Sequence, residues 1–368
     1  MLLFLSLVTL FAFNTHACAQ GENKSENQAR GFRGTEERPV ESANIAAVRK
    51  LYIERANKSL AIGKPVEAGE AYVELGEITE IRGDFPAAEA YLKKGLNLLK
   101  GFGPPNGLRL VIALDDLGWL YLTWGRVTEG HRLLEQARNL AMGAAPNDPR
   151  LIRHLDVQAA SAMVFGRYSE AQKAWNRALE IGEMIYGPDG PQYDHVLVHF
   201  AQGSALFGDY ASAEKMFRKY LAIEGDNNSG TPEYAVVAGE LARIDTQLHR
   251  YAEAQSWFAA ATGIMDRNPE SAPLVRSTIL CYLGDYYMAR GDWSNAQARY
   301  SEALRIQQSV LGENRAVAVS MIALSKALKK LHLKDQARNL MARAKTILSS
   351  HTDPLQQATV DVMALRRQ

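Results

Sequence analysis

The chain has 368 residues, 47% of them hydrophobic and 23% charged, with 42 Lys and Arg against 41 Asp and Glu. That balance excludes the polybasic signature of a nucleic-acid binder and any acidic tail. The 13 prolines fall between apolar stretches rather than inside them, a pattern of helices joined by Pro/Gly loops.

At the start, Leu2 to Phe13 is almost unbroken apolar, interrupted by Ser6 and Thr9, and Ala17-Cys18-Ala19 places small residues where a signal peptidase reads. A run of about 12 residues is too short to cross a bilayer of roughly 30 Å as a helix. Residues 1–19 are therefore expected to be a cleaved export signal, although no Lys or Arg precedes the run, and the mature chain is expected to be periplasmic or secreted. Cys18 also admits a lipid-anchored form, but Thr15-His16-Ala17 departs from the aliphatic and small residues that precede a lipid-modified cysteine. With cleavage after Ala19, Cys281 is the single remaining thiol and no intramolecular disulfide can form. No later segment is apolar enough to span a membrane. Residues 20–43 are polar and read as a flexible linker. From Ile45 the apolar residues take helical spacing (Ile45, Val48, Leu51, Tyr52), which predicts an N-terminal capping helix over 44–65.

The next 287 residues, 66–352, repeat themselves. Turn-and-helix units begin at Gly83, Gly125, Gly166, Gly208, His249, Gly291 and His332, at intervals of 42, 41, 42, 41, 42 and 41 residues. Two residues after the turn stands a large apolar side chain in most copies: Phe85, Val127, Tyr168, Tyr210, Tyr251, Trp293. Three further on is a small residue in every copy: Ala88, Gly130, Ala171, Ala213, Ala254, Ala296, Ala337. Then comes a bulky one: Leu92, Leu134, Trp175, Phe217, Phe258, Tyr300, Met341. The small residue predicts a close crossing of two antiparallel helices, and the bulky one fills the gap between units. Regular recurrence at this period predicts an array of stacked helical hairpins.

Upstream of the turns, ALDDLGWLYLTWG (Ala113 to Gly125) and LCYLGDYYMARG (Leu280 to Gly291) carry Leu-Gly followed by Tyr. With Gly-Asp-aromatic, Ala, aromatic, Ala in the second helix, the array resembles the tetratricopeptide-repeat (TPR) family over roughly residues 66–350. The minimal unit of that family is about 34 residues. The insertions here (GFGPPNG, AAPNDP, YGPDGPQ, GDNNSGTP, DRNPESAP) make the period resemble the longer repeat of kinesin light chains, without the His-Pro pair that opens the next helix there. The resemblance implies an all-α fold: a right-handed superhelical solenoid of about seven helix-turn-helix repeats, closed by N- and C-terminal capping helices, the latter over 353–368.

Signatures of chemistry are scarce. There is no Gly-x-Ser-x-Gly elbow and no phosphate-cradling glycine loop ending in Lys-Ser or Lys-Thr. His195 and His199 have i, i+4 spacing but no glutamate between them and no third ligand, which reads as two histidines on one exposed helix face rather than a metal site. The GDNNSG stretch lacks calcium-loop spacing. Asp115 and Asp116 are adjacent and diverge by roughly 100° around a helix, so they do not converge on one bond. No catalytic residue, cofactor or metal is expected.

In TPR arrays the first helix of each repeat lines a concave surface. Carried onto this chain, that implies partner-facing positions at Glu70, Glu74, Glu77 and Glu80, then Asp115, Asp116 and Trp119, then Arg153 and Asp156. Next come His195, His199 and Gln202, then Glu240 and Arg243, then Cys281, Tyr282 and Asp285, and finally Lys326, Lys329 and Lys330. Such a groove runs from acidic to basic and suits an extended protein or peptide partner of opposite polarity. The alternative is a structural, self-assembling component of an envelope complex.

Overall fold

The computed structural model describes residues 45–81, 84–101, 107–224, 230–267 and 272–350. The expected export signal at 1–19 with Cys18, the polar linker at 20–43 and the C-terminal cap at 353–368 lie outside the described residues. So does the turn residue Gly83.

Among the described residues, 15 α-helices and one 3-10 turn are found, with no strand. Helix α1 (Ile45–Ala61) precedes seven hairpins. These are α2 (Pro65–Ile81) with α3 (Phe85–Leu99), α4 (Gly107–Thr123) with α5 (Val127–Ala141), and α6 (Arg150–Val164) with α7 (Tyr168–Tyr186). They continue with α8 (Asp194–Leu206) and α9 (Tyr210–Glu224), α10 (Pro232–Gln247) and α11 (Tyr251–Arg267), α12 (Pro273–Ala289) and α13 (Trp293–Leu311), and α14 (Arg315–Lys330) and α15 (Lys334–Ser350). The chain is a solenoid of stacked antiparallel helical hairpins.

The turns explain the repeat's punctuation. Gly125, Gly166, Gly208 and Gly291 all take positive φ, and so do His249 (φ 59) and His332 (φ 61), which occupy the same place in their repeats. The left-handed residue lets the following N–H reach back to close the first helix: Arg126 N to Tyr121 O at 2.7 Å, Arg250 N to Asp245 O at 2.8 Å and Leu333 N to Leu328 O at 3.0 Å. The next helix is then started by a side chain in several copies, with Asp84 accepting from Ala87 N, Asp209 from Ser212 N and Asp292 from Asn295 N.

The small residues sit where the helices cross. Ala88, Ala171, Ala213, Ala254 and Ala296 have no exposed surface. At Gly130 a Cβ would stand 2.6 Å from the carbonyl oxygen of Gly118, so the two backbones are almost in contact. Leu92, Leu134, Trp175 and Phe217 are buried between units.

The first helices contact one another in series, α2 to α4 to α6 to α8 to α10 to α12, while each second helix packs on its own first helix and on the next. The first helices therefore line the inner side of the curve. The curl is tight: Leu311, at the end of α13, packs against the apolar cluster of the first two repeats, which holds Phe85, Leu108 and Val111.

Candidate functional site

The inner helices carry an unusual density of polar side chains, and the tight curl brings them together instead of presenting them to solvent. Asp115, Asp116, Arg153, Asp156, His195, His199, Gln202, Glu240, Arg243, Cys281 and Tyr282 are all buried, and so are Glu77 and Glu80. The expectation of a solvent-facing groove at these positions is corrected accordingly, as is that of an exposed histidine pair. Trp119 is a core side chain within the cluster around Trp175.

What the buried residues form is a ladder with a rung at successive repeat junctions. Arg153 on α6 reaches back to Asp116 on α4 at 2.6 Å and two repeats back to Glu77 on α2. His154 Nδ1 lies 2.8 Å from Asp115 Oδ2, and Gln158 donates to the Leu134 carbonyl at 3.2 Å. Asp156 accepts from Trp175 Nε1 at 2.8 Å and faces His199 Nδ1 at 2.6 Å. Further along, Gln202 and Tyr282 donate to Glu240 Oε1 at 3.3 and 2.8 Å, and Arg243 Nε donates to Glu240 Oε2 at 2.7 Å. Tyr300 donates to Asp285, and Cys281 Sγ lies 3.6 Å from Ser320 Oγ.

Burial governs the ionisation of this ladder, because removing charge from water is costly unless a partner replaces the solvent. Burial pushes Asp115 and Asp116 above the usual carboxylate range against the pull of His154 and Arg153, and pushes Glu80 up to about 8. Glu77 is held well above its ordinary value for the same reason. Asp156 goes the other way: burial raises it, but His199 and the Trp175 bond outweigh that and bring it below normal. His195, whose two ring nitrogens have no hydrogen-bond partner, is lowered by burial to about 4. Burial lifts the Cys281 thiol to about 12, which makes it a poor nucleophile.

Chemically, the arrangement is a lock between repeats. Among the described residues no group of three or more His, Cys, Asp and Glu is placed to hold a metal ion, and no described helix is long and apolar enough to cross a membrane. The ends of the inner face differ from its middle. Glu70 and Glu74 are half-buried and already paired, with Arg109 and Arg55. Asp285 is half-buried, whereas Lys326, Lys329 and Lys330 are exposed. The acidic end is thus neutralised by the chain itself and the basic end faces solvent.

Sequence reasoning missed His154, Gln158 and Trp175 as members of the ladder. A signal for them existed: His154 and Gln158 lie 39 and 43 residues beyond Asp115, close to one repeat period.

The family profile described as tetratricopeptide repeat matches residues 154–223 and 275–350. No curated protein matches the chain in sequence. Among solved structures, Rap protein complexed with competence and sporulation factor is similar over 95% of this chain and 96% of that one, with a TM-score of 0.60 at 12% identity. Aspartyl phosphate phosphatase F from Bacillus subtilis is similar over 84% and 77%, with a TM-score of 0.54 at 12% identity. The nearly identical TPR-like repeats of a Podosopora anserina kinesin light chain match 56% of this chain and 98% of that one, at 18% identity and a TM-score of 0.42.

Proposed function

We propose that this tetratricopeptide-repeat solenoid is a non-enzymatic scaffold that binds a protein or peptide partner outside the cytoplasm. The observation that carries the reading is the asymmetry of the inner face. Its middle is spent on contacts between repeats, its acidic end is paired internally, and Lys326, Lys329 and Lys330 at the far end stay open to solvent. A partner meets the scaffold first at these lysines, so its opposing stretch is acidic; complementary charge of this kind raises the rate of encounter. The shared fold supports the reading, since the Rap structure holds competence and sporulation factor. The apolar run from Leu2 to Phe13 followed by Ala17-Cys18-Ala19 supports export.

The test is affinity capture from the extracytoplasmic fraction of the source organism with the chain starting at residue 20, compared with K326E/K329E/K330E. Loss of the captured partner from the triple variant is the expected result. Equal capture by both chains overturns the role of the lysines, and N-terminal sequencing of the chain from that fraction checks cleavage after Ala19.

A further inference from the structure

Between the second helices of the fifth and sixth repeats, α11 and α13, one face of α12 lies open at the bottom of a cleft of ≈ 340 Å³. Phe258, Met265, Leu280, Leu283 and Tyr286 form its floor and are buried. Arg276, Arg290 and Arg299 stand around it.

The repeat itself shows that this cleft is a departure from the pattern. Counted from the turns, Thr262 occupies the place of Leu96, Arg138, Leu179, Leu221, Leu304 and Lys345 in the other copies, and it is the shortest side chain of the seven. Arg276 stands where the other copies have Ala68, Leu110, Leu151, Tyr193, Tyr234 and Val317. Arg299 stands where they have Tyr91, Leu133, Ala174, Met216, Trp257 and Leu340. Arg290 replaces Trp124, Phe165, Phe207, Leu248 and Leu331, with Arg82 the one other arginine. Three arginines at places that are apolar in nearly every other copy, and the shortest side chain at a fourth place, thus line a single cleft. Local rules broken this way, at a cost to packing, are expected at functional or strained sites.

The charges are incompletely spent. Arg276 bonds Asp266 at 2.8 Å and Glu302 at 3.2 Å, and Arg299 shares Glu302 at 3.5 Å. Arg290 donates to the Tyr286 hydroxyl at 2.9 Å, and among the described residues it forms no ion pair. Arg299 Nε is buried without a hydrogen-bond partner. Around the apolar floor Arg276 and Arg299 share Asp266 and Glu302 as ion-pair partners, while Arg290 has Asp292 within electrostatic reach.

We propose that this cleft is a docking site for a short, extended acidic segment of a partner protein, with apolar side chains alternating with carboxylates. Arg276 on α12 and Arg290, which caps its C-terminal end, are 14 positions apart, about 21 Å along the axis, which an extended chain covers in about six residues. The cleft is at the low end of the roughly 300–1,000 Å³ that ligand pockets occupy. Alternate residues of an extended chain point to opposite sides, so one set meets Phe258, Leu283 and Tyr286 while the other reaches the arginines. Guanidinium groups take carboxylates in two-point bonds. The inference rests on the reading of the chain as a protein-binding scaffold.

The test uses fluorescence anisotropy with the full chain and a fluorescein-labelled hexapeptide, DFDLDF, beside its amide analogue NFNLNF and a single-stranded DNA hexamer. Thr262→Leu installs the residue that four other copies carry and Arg299→Leu restores an apolar one, so both variants are expected to fold, which circular dichroism checks. DFDLDF should bind saturably, and either variant should weaken it by about tenfold or more, the loss expected for a charge-assisted bond or a filled pocket. Binding of NFNLNF as tight as DFDLDF, tighter binding of the DNA, or full binding by Thr262→Leu overturns the proposal. Capture of the native partner is scored separately. A partner held equally by the wild type and by Thr262→Leu removes the cleft and leaves the scaffold standing, whereas a wild type that retains no partner removes the scaffold reading.

Discussion

His199 Nδ1 lies 2.6 Å from Asp156 Oδ2 in the buried interior, joining the fourth repeat to the third. Beside them His195 Nε2 is 4.0 Å from the same oxygen, and neither of its ring nitrogens has a hydrogen-bond partner. One carboxylate thus serves two histidines unequally. Its lowered pKa means that the contact's stabilisation is present above the ordinary Asp range and is lost as the solution is acidified below it.

His195 is the weak member, and its replacement by leucine should stabilise the fold. A buried unpaired polar group costs about 1–3 kcal/mol. The ring is also lowered from 6.5 to about 4, by burial first and by His199 and Arg153 against the pull of Asp156. A base lowered in the folded state costs stability as pH falls from 6.5 towards 4, because the unfolded chain takes up the proton first. Urea melts of His195→Leu should therefore exceed wild type at pH 7, with a wider gap at pH 5. A variant less stable than wild type at pH 5 would show that His195 has a partner there.

Glu80 gives the opposite dependence. Burial, reinforced by Asp116, lifts its carboxyl from 4.5 to about 8. An acid raised in the folded state stabilises fully below 4.5, and that contribution is lost as pH rises towards 8, at a slope of up to about 1.4 kcal/mol per pH unit. Glu80→Gln, which has no proton to lose, should flatten the stability profile between pH 5 and 8 and should melt later than wild type at pH 8. An unchanged profile would place Glu80 in water.

The helical hairpins were legible because their cause is local. A turn residue able to take positive φ, a small residue at the crossing and a bulky one between units recur at 41–42 residues, and periodicity exposes all three. The inner face was misread because polarity alone does not distinguish a solvated groove from a network that neutralises itself. Asp116 and Arg153 are 37 residues apart and Glu77 and Arg153 are 76 apart. Whether they meet depends on the curvature of the array, which is set by packing summed over several repeats. Arg276 and Arg299 were readable as exceptions to the pattern, but their convergence with Thr262 on one cleft was not.

Close backbone approach makes a sharp contrast between two glycines. On α5, a Cβ at Gly130 would press to 2.6 Å from the Gly118 carbonyl oxygen and 3.0 Å from Leu122 N, neither of which is a flexible side chain. Gly130→Ala should cost about 1–3 kcal/mol, as for other overpacked sites. Gly263, inside α11, has nothing within 4 Å of the same position, so Gly263→Ala should stabilise by about 0.5–1 kcal/mol through helix propensity. Thermal melts of both variants decide it, and equal effects would mean that the helices of the second repeat lie further apart.

The two histidines at positive φ offer a test of the turn itself. A side chain in the left-handed region costs about 1–2 kcal/mol, and the extra freedom of unfolded glycine returns about 0.5–1 of that. His332→Gly should therefore raise stability by about 0.5–1 kcal/mol. His249 has a compensating contact, its Nδ1 lying 2.9 Å from the Tyr251 hydroxyl, so His249→Gly should gain less. The order of the two effects in chemical denaturation is the measurement. A larger gain at His249 would show that the Tyr251 contact contributes nothing, and a loss at both would mean that the imidazoles hold the turns in a way their backbone angles do not reveal.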